Sequence, residues 1–315
     1  MENTKFSSSN SQILTDDSCC LSKSELKALN VETVPFMAIE NDLEKPLKSL
    51  LSKKEFVLFV GTAPSLSIIN DTIEVAAENL DEKDKSLNAK KRVIIINTSC
   101  FSGGLGLFVT HFAHYFNSRE HTYDELLAYS LFLANHIAHF FVKPCTKRWN
   151  NLIYVPRTGP INHNGGKFRG NRGVYNHLTE IFRDHAYHTD EKVWICYTGP
   201  NDREAKKDTD SKEAAKLESE TFIQARSLAR QFKRCQPETQ IDISHQIKPH
   251  SVSSLKDDII ACFFLSTDVR PDEMGPRYNE ALEQEIAEKT AIAKENITLI
   301  TRFAQAFKEN PMPQF

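Results

Sequence analysis

The chain has 315 residues, 40% of them hydrophobic and 26% charged, with a formal net charge of −3. This balance gives no overall attraction to nucleic acid or to an anionic membrane, and no apolar run reaches the roughly 18–20 residues of a transmembrane helix. The seven cysteines form no CxxC pair, which indicates reduced thiols and a cytoplasmic protein. The polar, serine-rich residues 1–12 predict a disordered leader without the apolar core of a secretory signal.

Strands and helices alternate through the first half of the sequence. Strands are predicted at 56–60 and 92–96, helices at 68–80, 101–116 and 123–140, and a charged linker at 81–91. Alternation of this kind predicts an α/β fold with a mostly parallel sheet and helices on both faces. Residues 13–142 are therefore expected to form an N-terminal α/β domain.

The second half has a different organisation. A loop is predicted at 151–173, strands at 193–197, 240–247 and 258–265, and helices at 210–234 and 278–308. Residues 143–275 are expected to form a second α/β domain, and residues 276–315 an extra C-terminal helix. The apolar stripe of that last helix fits docking on the body of the protein or on a partner.

Three segments follow predicted strands and open predicted helices, namely 15–18, 61–67 and 97–106. The free backbone N–H groups and the dipole at a helix start favour an anion. The candidate ligand-binding residues in the second and third segments are Thr62, Ser65, Ser67, Ser102, Gly103 and Gly104. Ordinary helix capping by short polar side chains explains the same pattern, and the glycine cluster lacks the lysine of a phosphate-binding loop.

Histidines and a basic loop supply the remaining candidates. His250 lies in a loop beside small hydroxyl residues, where an imidazole can donate to an anionic group. The glycine-rich basic segment 162–173 fits a phosphate or RNA contact, or an exposed loop. The histidine pairs on predicted helices lack the carboxylate of a metal motif, so no metal site is expected.

Five segments in the same order resemble one family. These are 13–36 with its TDS-like turn, 62–77 with a hydroxyl-rich turn, 95–107 with a DSxxxSxGxG-like pattern, 165–167 in place of a GGR motif, and 247–250. Together they are similar to the DegV family of bacterial fatty-acid-binding proteins over residues 13 to about 267. The chain departs from the family in having Lys167 in place of the GGR arginine and no TSQPS-like segment after Phe36.

The resemblance implies two α/β domains that bury a long-chain fatty acid, with its carboxylate near the domain interface. It implies that Ser67 and His250 bind the carboxylate, and we expect help from the backbone amides of 102–104. Family members are carriers without a cofactor, and some present the fatty acid to a separate kinase. No catalytic residue, nucleic-acid partner or transmembrane segment is therefore expected.

Two other functions remain open from the sequence. The three turns and the basic loop fit an enzyme that handles phosphorylated small molecules, although no nucleotide or metal motif is complete. The chain has Ser67-Ile68-Ile69 where the family has an SGT turn. This altered turn, the missing TSQPS-like segment and the extra C-terminal helix fit a diverged family member that acts by protein–protein contact. An open apolar tunnel would contradict the second alternative.

Overall fold

The computed structural model describes residues 4–64, 67–146, 149–155, 167–185, 192–198, 220–243, 247 and 259–266. Its strands are β1 Lys5–Phe6, β2 Ser11–Asp16, β3 Val31–Val34, β4 Phe56–Gly61, β5 Val93–Asn97, β6 His121–Thr122, β7 Ile137–Thr146, β8 Trp149–Val155, β9 Lys167–Arg169, β10 Lys192–Tyr197, β11 Gln240–Asp242 and β12 Ile260–Leu265. Its helices are α1 Lys23–Ala28, α2 Glu40–Leu51, α3 Ile69–Lys83, α4 Ala89–Arg92, α5 Ser102–Ser118, α6 Tyr123–His136, α7 Gly170–His185 and α8 Glu220–Cys235.

The N-terminal sheet has four parallel strands in the order β3-β2-β4-β5. Alternate residues of β4 enter different cores, because successive side chains of a strand point to opposite faces. Val57 and Phe59 pack with α2 and α3, whereas Leu58 and Val60 pack with α5. The sheet is therefore covered by helices on both faces, as the sequence predicts.

The second sheet has the order β11-β10-β12-β7-β8-β9, with one parallel pair, β10 with β11. One of its faces contributes Trp194 and Phe263 to the core that contains α5. The other face contributes Ile195 and Phe264 to a separate core with α7 and α8. Helix α5 therefore lies between the two sheets and packs against both.

Three predicted elements are corrected by the structure. The leader predicted to be disordered contains β1 and the start of β2, since Phe6 is fully buried and β1 pairs with β6. The helix predicted at 123–140 ends at His136, and β7 follows because it pairs with both β12 and β8. The loop predicted at 151–173 contains most of β8, all of β9 and the start of α7.

The linker predicted at 81–91 is also wrong, since α3 extends to Lys83 and a 3-10 turn at Lys85–Leu87 precedes α4. The Asp81 carboxylate accepts hydrogen bonds from the backbone N–H groups of Ala89 and Lys90, which fixes the start of α4. The predicted division at 142/143 falls inside β7. The C-terminal helix predicted within 276–315 lies outside the described residues.

Candidate functional site

Three strand-to-helix turns meet at the carboxyl edge of the parallel sheet. They follow β2, β4 and β5, which are neighbours in the sheet and end at the same edge. The hydroxyls of Ser18 and Thr62 are 2.9 Å apart and hydrogen bonded. The backbone N–H of Ala63 donates to the carbonyl of Cys100 at 2.8 Å. The three turns therefore form one connected polar cluster, as the spacing of the sequence segments implies.

Asp16 supplies a buried anion at the centre of this cluster. Its Oδ1 accepts the backbone N–H of Ser18 at 3.0 Å, and its Oδ2 accepts that of Thr62 at 2.7 Å. Burial raises the pKa of the Asp16 carboxyl above its ordinary value, while the hydrogen bonds from Ser18 and Thr62 act in the opposite direction. The sequence marks the backbone amides of Ser18 and Thr62 as possible phosphate ligands. In the structure both amides already donate to the carboxylate of Asp16.

The third turn is held by Thr98, a fully buried residue. Its Oγ1 donates to the carbonyl of Gly61 at 2.8 Å and accepts the backbone N–H of Cys100 at 3.0 Å. The following residue, Ser99, has a φ of 50°, in the left-handed region. The side chain of Thr98 therefore joins the end of β5 to the end of β4 and shapes the approach to α5.

Ser67 lies at the start of α3, two residues before the helix begins at Ile69. It is half-buried, and its hydroxyl oxygen accepts the backbone N–H of Ile69 at 3.1 Å. The hydroxyl keeps its own proton, so it can donate a hydrogen bond to a carboxylate. Ile68, the N-cap residue, is 76% exposed and cannot cap the helix with a polar atom.

Helix α2 begins in the same way beside α3. Its N-cap residue is Ile39, which is 56% exposed and forms no side-chain cap. The two helices pack against each other and follow the parallel strands β3 and β4, so both helices start at the carboxyl edge of the sheet. Backbone N–H groups at a helix start that lack side-chain partners are suited to an anionic head group.

The glycines of α5 have a different role, which is close packing. A Cβ at Gly103 would lie 2.5 Å from Phe263 Cε2, and one at Gly104 would lie 1.9 Å from His139 Nε2. Ser102 is fully buried, with its hydroxyl 3.4 Å from Cys20 Sγ. The start of α5 therefore contacts the second sheet at a distance that only glycine permits.

His139 is a residue at this contact for which the sequence suggested no role. Burial lowers its pKa to about 4, against the effect of a hydrogen bond to the backbone of Ile137. Its Nε2 is buried and has no hydrogen-bond partner. The ring stacks on Phe101 with centroids 5.3 Å apart and meets the edge of Phe263 at 5.5 Å. His139 is thus a neutral imidazole packed among aromatic rings between the two sheets.

The opposite face of the second sheet is also packed with aromatic rings. Phe182 of α7 makes edge contacts with Phe264 at 5.0 Å and with Phe232 of α8 at 5.5 Å. Phe140 stacks on Phe264 at 5.7 Å. Most phenylalanines of the described second half therefore serve as core.

The structure describes some of the predicted site residues and not others. Thr62 and Ser67 lie in the turn after β4, whereas Ser65 and His250 lie outside the described residues. Among the residues that are described, no group of histidine, cysteine or acidic side chains is arranged to hold a metal ion. None of the described helices is both long and apolar enough to cross a membrane.

Comparison with known proteins identifies the class of fold. No family model matches the sequence, and no curated protein matches it. A DegV family protein from Thermus thermophilus, described by its fatty acid binding, matches with a TM-score of 0.58 and 13% identity, over 82% of this chain and 100% of its own.

Two further solved structures agree. A Thermotoga maritima protein described as revealing a fatty acid binding function matches with a TM-score of 0.59 and 12% identity, over 82% of this chain and 99% of its own. DegV from Bacillus subtilis, described as a fatty acid binding protein, matches with a TM-score of 0.55 and 9% identity, over 82% and 100%. The chain therefore has the two-domain fold of the DegV structures, which confirms the fold that the sequence motifs imply.

Proposed function

We propose that the chain is a diverged member of the DegV family that binds a long-chain fatty acid or a related acyl lipid. The observation that carries the proposal is the agreement in fold across both halves of the molecule, which includes 98–100% of the matched structures. Solved structures with this fold are described with stearic, heptadecanoic or vaccenic acid. An acyl chain is accordingly the ligand class that the fold favours.

The energetics of acyl burial support a ligand of this kind. Each methylene removed from water contributes about 0.8 kcal/mol, so a chain of about 16 carbons gains roughly 10 kcal/mol before ordering costs. One lost hydrogen bond to a charged head group costs about 1.5–3 kcal/mol. Acyl binding is therefore expected even though Lys167 replaces the GGR arginine and the TSQPS-like segment is missing.

We assign the carboxylate to Ser67 and His250, with Thr62 and Ser65 in the same turn as support. Ser67 has a hydroxyl proton to donate, and its oxygen already accepts the backbone N–H of Ile69 at the start of α3. Thr62 is fully engaged with Ser18 and Asp16, so we infer that it holds the turn in shape. To Ser102, Gly103 and Gly104 we assign the packing of α5, which keeps the turn in place.

We further propose a carrier without catalysis of its own, active in the cytoplasm. The six described cysteines are free thiols, consistent with a reducing compartment. A fatty-acid kinase is the partner class that the resemblance implies. We expect weaker recognition by that kinase for two reasons. Lys167 lacks the planar fork of the arginine in the GGR motif, and the TSQPS-like segment is missing.

The head-group assignment is tested by a fatty-acid titration of the delipidated protein. Ser67→Ala is expected to weaken binding of palmitate about tenfold or more, because one hydrogen bond to a charged group is lost. Ser49→Ala, an exposed serine on α2, is the matched control and should bind like the wild type. Equal affinity of all three proteins would contradict the role of Ser67, and no binding by any of them would contradict the function.

A further inference from the structure

Helix α8 presents four cations on its outer face. Arg226, Arg230, Lys233 and Arg234 are exposed, and their spacing of four, seven and eight residues from the first places them on one side of the helix. The opposite side of α8, with Leu228 among others, is buried in the core against the second sheet. The cations therefore lie over a rigid, fully packed support.

A groove runs between these cations and the chain around β11. It has a volume of about 530 Å³, and its apolar side is formed by Ile241 and Ile243. Both isoleucines are half-buried and pack on the second core. The groove thus has a cationic side on α8 and an apolar side at Ile241 and Ile243. None of the described residues that line it is aromatic.

Two of the cations in the groove, Arg230 and Arg234, have no carboxylate partner among the described residues. Lys233 Nζ donates to the carbonyl of Pro237 at 3.0 Å. Asp242 is paired with Lys192 at 2.8 Å. A concentrated cationic surface therefore exists on a protein whose net charge is −3.

We propose that this groove binds an extended acidic segment of a partner protein, with acidic side chains alternating with apolar ones. The cations span eight helical residues, or about 12 Å, which is the length of about four residues in an extended chain. Acidic side chains then face α8 while the alternate apolar ones contact Ile241 and Ile243. In the described sheet β11 is the end strand, next to which an extended segment can lie.

Other anionic partners fit the groove less well. An anionic bilayer pairs with the cations alone, whereas the alternating peptide also places apolar side chains on Ile241 and Ile243. Single-stranded RNA uses aromatic rings to stack its bases, and the described lining has none. The proposal concerns a surface on the far side of the second sheet from α5, so it does not rest on lipid binding.

The test is fluorescence anisotropy of the full-length protein with a labelled peptide of alternating glutamate and valine. Binding is expected, and it should weaken as sodium chloride is raised from about 50 to about 300 mM. The double variant Arg230→Gln with Arg234→Gln should weaken binding about tenfold. Lys27→Gln with Lys53→Gln, two exposed lysines at or just beyond helix ends elsewhere, is the matched control and should bind like the wild type.

Three outcomes would overturn the proposal. The first is no peptide binding by the wild type at low salt, and the second is equal weakening by the control variant. The third is binding of vesicles rich in phosphatidylglycerol, or of single-stranded RNA, without binding of the peptide. Circular dichroism and thermal unfolding of each variant verify that a loss of affinity does not reflect a loss of fold.

Discussion

The backbone N–H of Thr62 donates a hydrogen bond of 2.7 Å to Asp16 Oδ2 and so joins the turn after β2 to the turn after β4. The other oxygen of the same carboxylate holds Ser18. A single side chain thereby fixes two of the three turns that the sequence marks as candidate anion sites. The same carboxylate occupies the backbone amides of Ser18 and Thr62 that an external phosphate would need, and the proposed head group is therefore assigned to Ser67, later in the turn after β4.

Asp16→Asn is expected to lower the free energy of unfolding by about 1–3 kcal/mol. The asparagine amide has only one acceptor, so either Ser18 N or Thr62 N is left facing another donor inside the protein. Urea unfolding measures the change, and Glu32→Gln, an exposed acid on β3, serves as the control. Unchanged stability of the Asp16 variant would contradict the structural role of the carboxylate.

Gly104→Ala is expected to destabilise the protein by about 1–3 kcal/mol or more, because its Cβ would lie 1.9 Å from His139 Nε2. The two residues form a double-mutant cycle, since His139→Ala removes the atoms in conflict. The cost of Gly104→Ala should fall sharply in the His139→Ala background. Additive costs of the two changes would contradict the close contact between α5 and β7.

The stability of the protein is expected to depend on pH through His139. Burial lowers its folded pKa to about 4 from an ordinary value of 6.5. Its contribution is fully present above pH 6.5, and it is lost as the pH falls from 6.5 towards 4, because only the unfolded chain then binds the proton. The loss amounts to about 3 kcal/mol over that window.

Denaturant unfolding from pH 7 to pH 4.5 measures this dependence. His139→Leu should flatten the slope of unfolding free energy against pH, while Phe141→Leu, a size change in the same aromatic layer, should lower stability without changing the slope. A slope remains in His139→Leu because burial also lowers the pKa of His111 to about 4. Parallel slopes for the wild type and His139→Leu would contradict a buried neutral imidazole.

The described cysteines are expected to differ in reactivity. Cys235 is exposed, whereas the other five described cysteines are buried. Burial raises the pKa of the Cys100, Cys196 and Cys262 thiols above the ordinary value, which further reduces their thiolate content. Peptide mapping after brief iodoacetamide treatment should find Cys235 modified and these three protected. Rapid modification of Cys196 in the native protein would contradict the packing of its side chain on β10 against α5.

Local patterns in the sequence were sufficient to predict several strands. Continuous apolar runs predict β4, β5, β10 and β12 nearly to the residue. Three of these strands, β4, β10 and β12, are buried on both faces, and in β5 the alternate residues Val93 and Ile95 are half-buried. The strand β7 was missed because residues 137–140 continue the apolar spacing of α6. Only pairing with β12 and β8, which is not visible in a single sequence, decides that they form a strand.

The candidate site also has one part that the sequence predicts and one part that it does not. The turn that contains Thr62 and Ser67 could be predicted, because hydroxyl residues between a strand and a helix are a local signal. The contact of Gly104 with His139 could not, since it joins residues 35 positions apart on different elements. The sequence therefore predicts a ligand-binding role for Gly103 and Gly104, and the structure adds their close contact with the second sheet.

The central claim is that an acyl lipid is bound within this fold, and denaturing mass spectrometry of the freshly purified protein tests it most directly. The account predicts that unfolding releases a long-chain fatty acid, or a related acyl lipid, in near-stoichiometric amount. A solvent-extracted blank and an unrelated protein purified in parallel define the background. A spectrum free of lipid, together with no uptake of added fatty acid by the folded protein, would contradict the claim and leave only a shared fold.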